Sequence, residues 1–120
     1  MDSHSVHILV EATINDGSLA AFEGVVELML AGSQKEPSTR GYEWHLSPDR
    51  KRCRLLETYA DANALLAHFK GPVVQQLVPK LLEQCKIDRF EVYGEPGTEA
   101  RAMMAEFGTE IFDRWKGLSR

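Results

Sequence analysis

Apolar and polar residues alternate from Val6 to Ile14. Val6, Ile8, Val10, Ala12 and Ile14 fall on one side, and His7, Leu9, Glu11 and Thr13 on the other. This two-residue period predicts a strand buried on one face. Asn15-Asp16-Gly17-Ser18 follows as a turn, with Asp16 or Ser18 able to cap a helix. The period then changes. Leu19, Phe22, Val26, Met29 and Leu30 recur at helical spacing, which predicts a helix from about Leu19 to Ala31 that Gly32 and Ser33 end. Arg40–Leu46 and Arg52–Tyr59 read as two strands of a hairpin joined by Ser47-Pro48-Asp49-Arg50, a type I turn by its proline. Asp61 is a good N-cap for a helix carrying Leu65, Leu66 and Phe69. Gly71-Pro72 interrupts that helix and begins another, whose apolar face is Val73, Val74, Leu77, Leu81 and Leu82. Pro79 has no N–H to donate, so a kink or break is expected there. Lys86–Gly94 reads as the last strand.

The order β-α-β-β-α-β is the ferredoxin-like arrangement, an α+β fold whose antiparallel sheet carries helices on one face. The opposite face would hold Leu9, Leu56 and Tyr93 among His7, Glu11, His45, Arg54 and Thr58. That mixture is too apolar for a fully wet surface and too polar for a plain core. It points to a partner's sheet or a ligand cavity. Thr98 to Lys116 predicts one further helix, because Met103, Met104, Phe107, Ile111 and Trp115 recur at spacings of three, four and seven. The chain thus divides into a domain over residues 5–96 and a helical extension over residues 97–117. The extension's apolar stripe must dock on its own domain or on a partner.

A chain of 120 residues suits one domain. A net charge of −4 argues against nucleic-acid binding, and the cluster Arg50-Lys51-Arg52 reads as a solvated turn. No apolar run approaches the roughly 20 residues that span a bilayer. Met1-Asp2-Ser3-His4-Ser5 lacks the charge and hydropathy pattern of a signal peptide, so the expected location is cytoplasmic. Cys53 and Cys85 have no metal-ligand spacing and read as free thiols. His7 and His45 would face each other across neighbouring strands, but a metal site there needs a third ligand such as Glu11, so no metal is assigned.

Several segments carry a resemblance. Glu36-Pro37, Gly41-Tyr42-Glu43, Leu56-Glu57-Thr58-Tyr59-Ala60-Asp61 and Ala64-Leu65-Leu66-Ala67-His68 resemble the antibiotic biosynthesis monooxygenase domain, over roughly Val6 to Pro96. The resemblance implies a dimeric α+β barrel built from two stacked sheets, with a pocket between sheet and helices. It also implies oxidation of quinols, anthrones or related polyphenols by dioxygen with no cofactor, in some members. Tyr59 stands where the family often has tryptophan. The haem-degrading branch is disfavoured: no histidine lies near Gln76 to Val78, and the first strand lacks that branch's asparagine.

Such chemistry needs a bound phenol, a base, apolar walls and a donor for anionic oxygen. His68, at the family's helical histidine position, and Glu57 are the candidate bases; a structural hydrogen bond for His68 and an arginine partner for Glu57 are the simpler alternatives. Tyr59 would orient the phenol or serve as core. Tyr42, Trp44 and Phe69 would line the pocket, with His45 as a further substrate-binding candidate. The same pocket in a homodimer would equally suit a protein that binds or senses a small aromatic compound unchanged.

Overall fold

A computed structural model describes residues 4–118, so Met1 to Ser3 of the amino-terminal segment read above lie outside the described residues. Strand β1 (Val6–Ile14) leads into helix α1 (Leu19–Ser33). Strands β2 (Thr39–Leu46) and β3 (Arg52–Tyr59) form the hairpin. Helix α2 (Ala62–Lys70) begins at Asp61, whose carboxylate accepts the Ala64 N–H at 2.9 Å. This is the capping role the sequence predicts, and it fixes where the helix starts. A π-helical turn (Val73–Leu77) then passes into the short helix α3 (Val78–Leu81), with Pro79 in its first turn. The missing proline N–H accounts for the widened turn before it. Strand β4 (Cys85–Tyr93) completes the six elements.

The strands lie in the order β2-β3-β1-β4-β5. Strand β1 is central and antiparallel to both β3 and β4, with Ile8 opposite Glu57 on one side and Val92 on the other. Its inward residues Val6, Ile8, Val10, Ala12 and Ile14 are all buried. The core has two lobes under the helices. One gathers Val6, Ile8, Leu65, Phe90 and Val92, and the other gathers Ile14, Phe22, Met29, Val73 and Leu81. Each such side chain taken from water stabilises the fold by roughly 1.5–3 kcal/mol before entropy is counted.

Three expectations are corrected. The sheet is mixed rather than antiparallel, because a fifth strand, β5 (Glu110–Phe112), pairs in parallel with β4. The sheet is also open rather than closed into a barrel: β2 and β5 are its two edges. The single helix expected over Thr98 to Lys116 is instead helix α4 (Thr98–Met104), a 3₁₀ turn (Ala105–Phe107) and β5. Gly108 adopts φ 67° and ψ 38°, a left-handed conformation that ends the helical path. The Thr109 hydroxyl donates to the Met104 carbonyl at 2.6 Å and satisfies one of the freed acceptors. Ile111 belongs to the alternation of β5 rather than to the helical stripe, and Trp115 is 85% exposed. Ala100 and Met104 of α4 lie in the main core cluster.

The face away from the helices is a polar ladder with apolar islands. Glu11 lies between Arg54 at 3.6 Å and Arg89 at 3.4 Å. Leu56 is exposed beside them, and Tyr93 stacks on Phe112 at 5.4 Å between centroids. His7 and His45 do not face each other: β3 lies between their strands, where His7 pairs with Thr58 and His45 with Arg54. Among the described residues no group of three or more histidine, cysteine or acidic side chains is placed to hold a metal ion. Nor is any helix among them long and apolar enough to cross a membrane.

Candidate active site

Alternation along β3 sends Cys53, Leu55, Glu57 and Tyr59 toward the helices. Glu57 is therefore a carboxyl in the core, opposite Ile8 on one neighbour and Tyr42 on the other. Helix α2 brings Ala64, Leu65, His68 and Phe69 down onto the same surface. Glu57 is 5% exposed and His68 only 2% exposed, which makes them two of the few buried polar side chains among the described residues. A buried ionisable group needs partners, and these two have them. Tyr59 donates its hydroxyl proton to Glu57 Oε1. His68 Nδ1 lies 2.7 Å from Glu36 Oε1, and its Nε2 lies 3.9 Å from Glu57 Oε1. Thr39 donates to the same Glu36 oxygen at 2.8 Å.

Burial pushes the Glu57 carboxyl above the ordinary carboxylate range, with His68 and the Tyr59 hydrogen bond pulling partly back. Burial, followed by the charge of Glu57, raises the Tyr42 and Tyr59 phenols. The cluster therefore holds a carboxyl tuned upward, an imidazole and two phenols that stay protonated. A carboxyl and an imidazole are the residue types that act as general acids and bases, and phenols that keep their protons act as hydrogen-bond donors.

Beside the cluster lies a cavity of about 50 Å³. Its walls include Val10, Leu55, Phe69, Val78 and Phe90, with Glu57, His68 and Tyr42 at its polar end. That volume holds a few water molecules and is too small for an aromatic ring system. Phe69, Val74, Val78, Leu82 and Phe107 separate it from an outer groove of about 260 Å³, and each of the five lines both spaces.

The structure brings together five of the seven site candidates: His68, Glu57, Tyr59, Tyr42 and Phe69. Tyr59 itself is wholly buried behind Glu57 rather than on the cavity wall, its hydroxyl already committed. Trp44 lies one layer out, edge-on to Tyr42 and Phe22. His45 is exposed on the far face, 3.4 Å from Glu43, in a separate groove with Glu11, Arg54 and Asp88. Glu36, which anchors His68, was not singled out as a site residue. Its place in the Glu36-Pro37 motif is the one signal the sequence offers; the partner lies 32 positions away. Val74 and Phe107 are further walls that the sequence does not reveal, because each sits on a helical stripe that reads as ordinary core.

An open α+β sheet thus carries buried ionisable side chains beside an apolar cavity under its helices. The chain matches the antibiotic biosynthesis monooxygenase family over residues 5–80 and belongs to it. MupZ from Pseudomonas fluorescens is similar in structure, with a TM-score of 0.84 at 22% identity, covering 98% of this chain and 95% of that one. SnoaB, a cofactor-independent oxygenase from Streptomyces nogalater, gives 0.68 at 16% identity over 79% of this chain and 96% of its own. Rv0793 from Mycobacterium tuberculosis gives 0.66 at 18% identity over 78% and 97%. At these identities the likeness is one of fold. A comparison with curated protein sequences finds no match.

Proposed function

We propose that this protein is a cofactor-independent monooxygenase that oxidises a quinol or polycyclic phenol with dioxygen. The observation that carries the reading is the buried pair of Glu57 and His68 at the polar end of an otherwise apolar cavity. Membership of the monooxygenase family and a fold shared with a cofactor-independent oxygenase support it.

In this reading His68 or Glu57 removes the phenolic proton, which raises the electron density of the ring for attack on oxygen. Tyr59 orients the substrate indirectly, through Glu57. Tyr42 and Phe69 flank the ring, and Trp44 backs Tyr42. The substrate reaches the cavity from the outer groove, displacing the side chains between them. The segment 97–117 acts as an extension that supplies Phe107 to this barrier. Two copies associate through the half-apolar open face of the sheet.

The test is oxygen uptake by metal-free protein with a panel of hydroquinones and anthrones, beside H68Q and E57Q. Turnover in the parent and a fall of about 10²-fold or more in H68Q or E57Q is expected. No uptake across the panel, or substrate loss without oxygen consumption, would overturn the reading. A compound that raises the melting temperature and is recovered intact would place the protein among binding modules instead.

A further inference from the structure

His68 is almost wholly buried, yet it lines two separate spaces. One is the inner cavity. The other is a separate groove of about 500 Å³, bordered by Lys35, Glu36, Thr39, Asp61 and Asn63. The cavity's remaining lining residues are apolar, apart from Glu57 and the Tyr42 phenol. A proton cannot cross hydrocarbon without a relay, so its polar route outward is the imidazole. On the outer side the ring meets Glu36, which is 24% exposed and therefore in reach of water. The arrangement is a chain of groups from dry to wet: Tyr59, Glu57, His68, Glu36.

The hydrogen-bond directions are set by the outer end. The Glu36 carboxylate is acceptor-only, so the 2.7 Å contact requires His68 to carry its hydrogen on Nδ1. The Nε2 lone pair then points inward, toward Glu57 and the cavity. The Thr39 hydroxyl pins the same Glu36 oxygen and keeps the carboxylate in place.

We propose that Glu36 is the positioning residue and proton port of this site, holding His68 with Nε2 toward the cavity and exchanging its Nδ1 proton with the outer groove. This rests on the acid–base reading above. In the forward direction the substrate O–H bond breaks as the Nε2–H bond forms. The Nδ1 proton passes to Glu36, and the Glu36 acid gives it to water in the groove. His68 ends neutral, with its hydrogen on Nε2 and the substrate as its anion. In reverse, a proton from the groove reaches Nδ1 through Glu36 while Nε2–H protonates the product oxygen. No electrons are exchanged in either direction, and the starting tautomer is restored.

Two measurements test this, the first without any substrate. Nitrogen-15 spectra of histidine-labelled protein, with H68Q used to assign the ring, should show His68 protonated on Nδ1 in the parent and in E36Q, whose amide oxygen still accepts. In E36L that preference should be lost while His7 and His45 stay unchanged. A parent ring protonated on Nε2 alone overturns the assignment, whatever the protein catalyses. The second is turnover. E36Q should lose about tenfold or more in kcat in dilute buffer with KM within about twofold, and added formate or imidazole should restore part of it. Unchanged kcat for E36Q in dilute buffer, beside a parent that turns over, removes Glu36 from the proton path.

Discussion

Phe90 of β4 and Phe107 of the 3₁₀ turn lie stacked, with ring centroids 5.2 Å apart and planes 11° from parallel. Both line the inner cavity, and Phe107 also lines the groove outside it. One side chain therefore ties the carboxy-terminal segment to the sheet and closes the cavity. Phe107→Ala is expected to cost about 1–3 kcal/mol, less than a fully buried phenylalanine because the ring is only partly buried against the core. It should also join the two spaces and speed the binding of small phenols. Thermal melting together with stopped-flow binding of a fluorescent phenol checks both effects.

Glu57 makes stability depend on pH. Its folded-state pKa is raised, chiefly by burial. Such a group contributes fully below its unfolded value and loses that contribution as pH rises through the folded one. E57Q keeps an acceptor for Tyr59 and removes the ionisation. The variant should therefore melt higher than the parent at pH 8, by several degrees for each ~1 kcal/mol relieved, and the gap should narrow toward pH 4. An equal gap at both pH values would contradict the assignment.

Tyr59 and Glu57 should be energetically coupled. Y59F removes a donor from a buried carboxyl, at a cost of roughly 1–3 kcal/mol. It also removes an interaction that holds the Glu57 pKa down. Its carboxyl resonance should titrate at higher pH in Y59F than in the parent. The melts of Y59F, E57Q and the double variant should be clearly non-additive.

The two thiols should be inert in the native state. Burial pushes Cys53 and Cys85 up to about 11. Roughly one thiol in a thousand is then ionised at pH 8, and thiolate is the reactive form. A disulfide reagent should titrate both only after denaturation; rapid reaction of the folded protein would contradict this.

Local rules made much of the chain legible. Strand β1 follows from its alternation, α2 from Asp61 as cap, and a break in the helix after Gly71-Pro72 from Pro79, although not its form as a π-helical turn. Each depends on residues close in sequence, whose spacing determines which face they share. The site was legible only in part. Glu57 among inward residues of β3 marked a carboxyl in the core, and His68 marked the helical face above it. The spacing of the carboxy-terminal stripe misled, because Met103, Met104 and Phe107 fit a helix that Gly108 ends, and Ile111 then serves a strand.

The amino-acid pattern by itself determined which residues turn inward, since side-chain direction along a strand or helix is set by backbone geometry alone. Only the folded chain decided that Glu36 meets His68, that β5 joins β4 in parallel and leaves the sheet open, and that His45 stands apart from the cavity. Those outcomes rest on contacts between segments far apart in sequence, where packing and the need to satisfy buried polar groups choose among arrangements that local spacing leaves equal.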